Sequence, residues 1–231
     1  MKWRSLDETT AQTDARSLRE IYAERKALIA KYVPAEVRAI HARVVEEMKQ
    51  SGAADRALHV GSKVQSFELS DHNRKPLSSV DLLQQGRLVI CFIRGRWCPF
   101  CVGQVEAMNA IVPEFQELCA SLVAISPQTL HQSYLMADQH KLRFPLLSDT
   151  GNGVAQHFGL VYQVPDYQQE IYKRVFVNLQ FVNGDDAWEL PIPATYILDR
   201  DHTVLYATAG PDYTKRPEPS DLLRFLSRLP S

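Results

Sequence analysis

Leu88-Val89-Ile90-Cys91-Phe92-Ile93 runs directly into Arg94-Gly95-Arg96-Trp97-Cys98-Pro99-Phe100-Cys101. The first six residues are uninterrupted apolar side chains with β-branched members, the pattern of a strand buried on both faces. Beyond the Cys-x-x-Cys, the side chains Cys101, Val105, Met108, Val112, Phe115 and Cys119 recur every three to four residues, which predicts a helix reaching Cys119. A buried strand feeding a helix is a β–α unit, and the two cysteines stand at its junction.

Downstream, Leu122–Ile125 reads as a strand, residues 129–141 as a helix, Phe144–Leu147 as a strand and Val154–Phe158 as a short helix. This alternation implies a sheet that is parallel at its centre. Residues 160–188 fit neither period and read as an insertion with one helix over about 166–177. Ala194–Leu198 and Thr203–Ala207 flank Asp199-Arg200-Asp201-His202 as a hairpin, and a last helix is expected from Ser220, as N-cap, to Arg228. Upstream, Val64, Phe67 and Leu69 lie on a short extended segment before a polar turn at Asp71–Arg74.

The first sixty residues differ in texture. Leu18, Ile21, Tyr22, Leu28, Ile29 and Tyr32 share one helical face, and Pro34 stands where a second helix starts. Val37, Ile40, Val44, Val45 and Met48 then repeat the pattern until Ser51-Gly52 stops it. Residues 1–59 are expected to form a helical arm, and residues 60–231 the α/β domain carrying the cysteines. With 11 Lys+Arg against 9 Asp+Glu, the arm's polar faces are mixed. Packing of its apolar stripe on its own domain is the expectation, and partner docking or a homodimer through these helices is the alternative.

The chain has 231 residues, 45% hydrophobic and 23% charged, with Lys+Arg 26 against Asp+Glu 27. That composition excludes a collagenous or disordered chain and supplies no global field to attract nucleic acid or an anionic membrane. No stretch approaches the roughly 18 apolar residues of a membrane span. The start, Met1–Glu8, lacks the apolar run of a signal peptide, so a soluble cytoplasmic protein is expected. Four cysteines (Cys91, Cys98, Cys101, Cys119) are too few to staple a secreted fold of this length, so the Cys-x-x-Cys pair reads as redox or metal chemistry.

Two cysteines three positions apart at a helix start lie about one turn apart, near the ~5.5 Å Cα separation that a disulfide prefers. Cys98 would stand at the helix N-terminus, where unpaired N–H groups and the helix dipole favour an anion, and Pro99 suits the first helical position because it has no N–H. Arg94 and Arg96 add positive charge nearby, so Cys98 is expected to be a nucleophile of depressed pKa. Cys101, a turn deeper, is placed to attack an oxidised Cys98 as the resolving thiol. Zinc would need two further ligands. Cys91 lies in a strand, Cys119 falls on the core face of the helix, and no two of the seven histidines are three to five residues apart, so no metal or cofactor is expected. Cys91 and Cys119 are assigned to packing.

Other polar residues read less specifically. His41, His140 and His157 lie on predicted helices without an evident partner. Gln128, Thr129, Asp149, Asp185 and Glu189 fall at strand ends, where an acid near Cys101 could take a proton during exchange, although loop solvation explains them equally. Tyr213-Thr214-Lys215-Arg216 reads as a charged turn before Pro217. Pro193 stands where strand pairing begins, as an edge device or a cis bond beside a site, and the pattern alone favours the edge.

The run Phe92–Cys101, with Ala124-Ile125-Ser126-Pro127-Gln128-Thr129, Phe144-Pro145-Leu146-Leu147-Ser148-Asp149 and Glu189-Leu190-Pro191-Ile192-Pro193-Ala194-Thr195-Tyr196, resembles bacterial peroxiredoxin-like proteins of the alkyl hydroperoxide reductase C/thiol-specific antioxidant family. The similarity extends over most of the chain, the arm included. It implies a thioredoxin-like α/β fold, a central mixed sheet flanked by helices with an N-terminal helical extension. It also implies that Pro193 is the cis-proline facing the dithiol, with Thr195 beside it. Typical members resemble Pro-x-x-x-Thr-x-x-Cys around the peroxide-reacting thiol and carry an arginine at a later strand position. Here those three places hold Cys91, Gly95 and Pro193, so the groups that polarise the O–O bond would have to come from Arg94, Arg96 or backbone N–H groups.

Two activities follow. In one, Cys98 attacks a hydroperoxide, condenses with Cys101 and is reduced by thioredoxin or a small thiol. In the other, Trp97-Cys98-Pro99-Phe100-Cys101 acts as in thioredoxin, on a protein or small-molecule disulfide. Peroxide reduction leads. A third, non-enzymatic reading makes the aromatics Tyr162, Tyr167, Tyr172, Phe176, Phe181 and Trp188, with the arm, a partner surface read out by the state of the dithiol.

Overall fold

The computed structural model describes residues 16–230. The first 15 residues of the expected arm, including the Met1–Glu8 start, lie outside them. Helix α1 (Leu18–Tyr32) opens on a capping box, in which Ser17 accepts from the Glu20 N–H and Glu20 from the Ser17 N–H. Leu18, Ile21 and Tyr22 are buried on its inner face. Helix α2 (Ala35–Gln50) follows Pro34 and buries Val37, Val44 and Met48. Both apolar stripes pack inward on the rest of the chain except at Tyr32, which ends α1 and is exposed.

A hairpin of β1 (Glu68–Asp71) and β2 (Pro76–Ser78) precedes α3 (Ser79–Gln85) and β3 (Arg87–Phe92). Then come α4 (Pro99–Ala110), α5 (Val112–Glu117), β4 (Ala120–Ser126), α6 (Leu130–His140), β5 (Leu146–Ser148) and α7 (Gly153–His157). The insertion holds β6 (Val161–Gln163), α8 (Asp166–Arg174), α9 (Leu179–Asn183) and β7 (Glu189–Pro191), and the chain closes with β8 (Ala194–Leu198), β9 (Val204–Ala209) and α10 (Pro219–Leu226). The main sheet runs β2-β1-β5-β4-β3-β8-β9, with β6 and β7 paired apart. Strands β5, β4 and β3 are parallel and the remaining pairs antiparallel, which gives the expected mixed sheet with a parallel centre.

Strand β3 explains its own composition. Val89 and Cys91 face the cluster built with α1, α4 and α10, while Leu88, Ile90 and Phe92 face the cluster that holds Phe158 and Tyr196. Side chains alternate along a strand, so only a strand covered on both sides needs an unbroken apolar run.

Several expectations are corrected. The helix expected to reach Cys119 breaks at Ile111, because Pro113 has no N–H for the Asn109 carbonyl and its ring crowds that carbonyl. Arg143 donates to the Asn109 oxygen instead, at 2.5 Å. Cys119 follows α5 at φ +50 and is exposed, so it is not a packing residue. In the insertion, the single helix expected over 166–177 ends at Arg174, Phe176 turns into the left-handed region at φ +59, and α9 follows. At the last helix, Glu218 rather than Ser220 is the N-cap residue and Pro219 is the first helical position.

Pro193 is neither a cis bond nor an edge device: there is no cis peptide among the described residues, and β8 lies between β3 and β9. It sits just ahead of Ala194, the first paired residue, so its missing N–H interrupts no ladder bond.

Gly159 ties the link after α2 to the domain. Its φ is +70, and a Cβ there would fall 2.0 Å from the Arg56 carbonyl oxygen, beside the hydrogen bond from the Leu58 N–H to the Phe158 carbonyl. Gly159→Ala should therefore lower the urea-derived stability by about 1–3 kcal/mol, from left-handed strain plus a backbone clash. An unchanged denaturation midpoint would contradict this.

Candidate active site

Strand β3 ends on Phe92, and Ile93 to Trp97 carry the chain to Cys98, the N-cap residue of α4, with Pro99 at its first position as expected. Cys98 and Cys101 are both free thiols and both fully buried. Arg94 is only 4% exposed, and its Nη2 donates to Cys98 Sγ at 3.0 Å. The Arg94 backbone N–H points to Cys101 Sγ at 3.4 Å. A buried guanidinium needs compensation. Besides the thiol it lies 3.9 Å from the Tyr213 ring centroid and 5.0 Å from that of Trp97, both within cation–π range, and the Tyr162 hydroxyl is in hydrogen-bonding reach.

The electrostatics separate the two thiols. Burial alone would push Cys98 up, but the hydrogen bond from the Cys101 thiol and the Arg94 charge and hydrogen bond reverse it and hold Cys98 well below the usual thiol range. Burial and then the neighbouring Cys98 push Cys101 well above that range, so it keeps its proton. Cys91 is pushed up to about 12, first by burial, which leaves it an inert thiol beside Thr195.

The structure brings Arg94, Trp97, Cys98, Pro99 and Cys101 together, and the other expected residues have partners of their own. Arg96 turns toward α6: its N–H donates to Gln128 Oε1 at 3.1 Å and its Nη1 to Gln132 Oε1 at 3.2 Å. Thr195 is paired with Cys91 across β3 and β8, accepts from Gln104 Nε2 at 3.3 Å, and lies 4.0 Å from Cys91 Sγ. The Asp149 carboxylate accepts the Val154 and Ala155 N–H groups at the start of α7. Thr129 caps α6, and Asp185 closes an exposed turn at Ala187. Pro193 stays at the entry to β8.

Sequence reasoning missed the cover of the site. The expected charged turn is present, its Lys215 N–H donating to the Asp212 carbonyl at 2.9 Å, but Tyr213 within it lies on Arg94, and Arg216 Nε donates to Gln104 Oε1 on α4 at 3.1 Å. From the insertion, Tyr172 is buried with its ring centroid 5.2 Å from that of Trp97. From the arm, His41 meets Tyr172 and Tyr213 at 5.8 and 6.4 Å, and its Nδ1 is 3.1 Å from Gln168 Nε2. Burial first, and then the Arg94 charge, lower His41 to about 4, so it is neutral at pH 7. His140, also expected without a partner, is held by Glu106 at 2.9 Å. The one sequence signal for the cover was the aromatic richness of the insertion. Phe176 is 95% exposed and Phe181 is exposed too, so that richness divides between cover and surface.

A model of the AhpC/TSA family matches residues 60–207, which leaves α1 and α2 outside the match. A protein named as a peroxiredoxin in Mycobacterium tuberculosis is 31% identical over 103 residues, 45% of this chain and 67% of that one. A thiol-disulfide oxidoreductase ResA of Bacillus thuringiensis is 20% identical over 154 residues, 66% of this chain and 71% of the other. Among solved structures, the peroxidoxin BcpB of Mycobacterium tuberculosis aligns with a TM-score of 0.60 at 24% identity, over 75% of this chain and 99% of that chain. The shared architecture is the thioredoxin-like fold. No helix among the described residues is long and apolar enough to cross a membrane, and none of their His, Cys, Asp and Glu side chains group in threes that could hold a metal.

Proposed function

The chain belongs to the AhpC/TSA family and is a thiol peroxidase or thiol-disulfide oxidoreductase, and from that premise we propose that it reduces hydroperoxides with Cys98 as nucleophile and Cys101 as resolving thiol. The observation that carries this reading is the Arg94 guanidinium 3.0 Å from Cys98 Sγ inside a fully buried dithiol. Together with the hydrogen bond from Cys101 it favours the ionised Cys98, while burial and that charge keep Cys101 protonated, which is the division of labour the chemistry needs.

The Cys98 thiolate attacks one peroxide oxygen. An S–O bond forms, the O–O bond breaks, and the alkoxide leaves and takes a proton from water. Sulfur is oxidised by two electrons and the peroxide reduced by two. The Cys101 sulfur then displaces hydroxide from the Cys98 sulfenic acid, and the Cys101 proton leaves with it as water, giving the Cys98–Cys101 disulfide. A dithiol of the thioredoxin kind, or two equivalents of a small thiol, restores both cysteines by exchange.

The similarity to ResA favours a second reading, in which reduced Cys98 attacks a disulfide. The burial of both sulfurs ranks it lower, because a protein disulfide has to bring a bulky backbone to the attacked atom, whereas a hydroperoxide is small. The test is the second-order rate of Cys98 oxidation in pre-reduced protein, followed by rapid quench and mass spectrometry, with hydrogen peroxide, tert-butyl hydroperoxide and glutathione disulfide. A peroxide rate at least about 100-fold above that of free cysteine is expected. A peroxide rate equal to that of free cysteine together with fast disulfide reaction would replace the first reading by the second.

A further inference from the structure

Three polar groups around the nucleophile are buried and have no hydrogen-bond partner: Arg94 Nε, Trp97 Nε1 and Tyr172 Oη. They are neighbours, since the Arg94 guanidinium lies over the Trp97 ring, Trp97 packs edge-on against Tyr172, and another nitrogen of the same guanidinium holds Cys98. Arg94 and Tyr172 are 4% and 2% exposed, so bulk water does not supply their partners. Unpaired buried donors are costly, and they collect where a ligand completes them.

Gly95 stands beside the indole nitrogen. Its φ of +139 is a conformation that side-chain-bearing residues rarely adopt, and a Cβ there would fall 2.9 Å from Trp97 Nε1 and 3.3 Å from Gln128 Oε1. Only a residue without a Cβ fits this close to the indole nitrogen.

Resting on the peroxidase reading above, the geometry points to Trp97 and Tyr172 as donors to the oxygens of a bound hydroperoxide, with Arg94 Nε as the third. Negative charge grows on the leaving oxygen as the O–O bond breaks. Fixed donors aimed at that oxygen stabilise the transition state more than the ground state. Arg94 thereby serves both partners of the reaction, one nitrogen on the sulfur and another on the oxygen. The ligand is a small R–O–O–H, and the insertion that brings Tyr172 supplies part of its site.

Two rates, both measured by quenched mass spectrometry of Cys98, test this. Alkylation by iodoacetamide reports how much thiolate is present and reachable; oxidation by hydrogen peroxide additionally needs the oxygen-directed donors. In Trp97→Phe and Tyr172→Phe the peroxide rate should fall about 10- to 100-fold while the alkylation rate stays within about twofold. Tyr172→Phe keeps the ring and its packing, so it remains informative if Trp97→Phe perturbs the fold. Peroxide rates within twofold of the wild type in both variants would overturn the assignment. So would a parallel loss of alkylation, which would make these residues supports of the thiolate alone. Failure of the underlying peroxidase reading looks different: there the unsubstituted protein itself reacts with peroxide no faster than free cysteine, and the assignment falls with it.

Discussion

Arg94→Met should slow Cys98 alkylation by about 10-fold or more at pH 6, with much less effect at pH 9. The guanidinium is the charge beside Cys98, and without it burial, which raises the thiol pKa, is opposed only by the hydrogen bonds from Cys101. A thiol ionises as pH rises. In the wild type Cys98 is held well below the ordinary range, so its thiolate persists through neutral pH and is lost only in acid. In the variant Cys98 moves back up toward the ordinary thiol range, held down only by its hydrogen bonds from Cys101, so less thiolate is present at pH 6 and it recovers as pH rises. Arg94→Lys keeps the charge without the planar fork and should fall between the two. The measurement is the pH profile of iodoacetamide incorporation at Cys98 from pH 4 to 10. A variant profile that overlays the wild type would show that Arg94 does not set the ionisation of Cys98.

Tyr22→Ala should cost about 3–5 kcal/mol of stability, the usual consequence of emptying a large aromatic site. Tyr22 is 5% exposed on the inner face of α1. Its hydroxyl donates to the Phe100 carbonyl at 2.6 Å, and its ring stands edge-on to Phe100 at 5.1 Å. Gly103 lets the helices approach, since a Cβ there would be 3.1 Å from both Ile21 Cγ2 and Tyr22 Cε1. The residue therefore joins the arm to the helix that begins at Cys98. Tyr22→Phe keeps the ring and should cost only about 1 kcal/mol, the net worth of one hydrogen bond. Urea titrations of the reduced proteins give both numbers. A Tyr22→Ala midpoint equal to that of the wild type would mean that α1 adds nothing to the cooperative unit.

The elements surrounding the dithiol were legible because periodicity and local chemistry agree there. Leu88–Ile93 is apolar at every position, Pro99 stands at N1 of α4, and Thr129 supplies the α6 cap. The elements that failed depended on single residues or on distant contacts. Pro113 cuts a helix whose apolar period runs on unbroken, and Phe176 ends α8 early by turning left-handed. Arg94 and Arg96 read alike in the sequence, yet one faces the thiol and the other α6, because the chain turns through Gly95 between them. The cover of the site had almost no local signature. His41, Tyr172 and Tyr213 come from three segments up to 172 positions apart in numbering, and each became visible only when the chain had folded them onto one buried arginine.

The carboxylate of Glu218 accepts the Leu18 N–H at 2.9 Å and the Arg19 N–H at 2.8 Å, so the first turn of α1 is completed by a residue about 200 positions further on. During synthesis at about 5–20 residues per second, roughly 10–40 s separate the emergence of the two partners. Over that interval the first-turn N–H groups of α1 have only the Ser17–Glu20 box. A nascent chain thus passes through a stage in which the dithiol helix is already made while the cap of α1 still awaits its last partner.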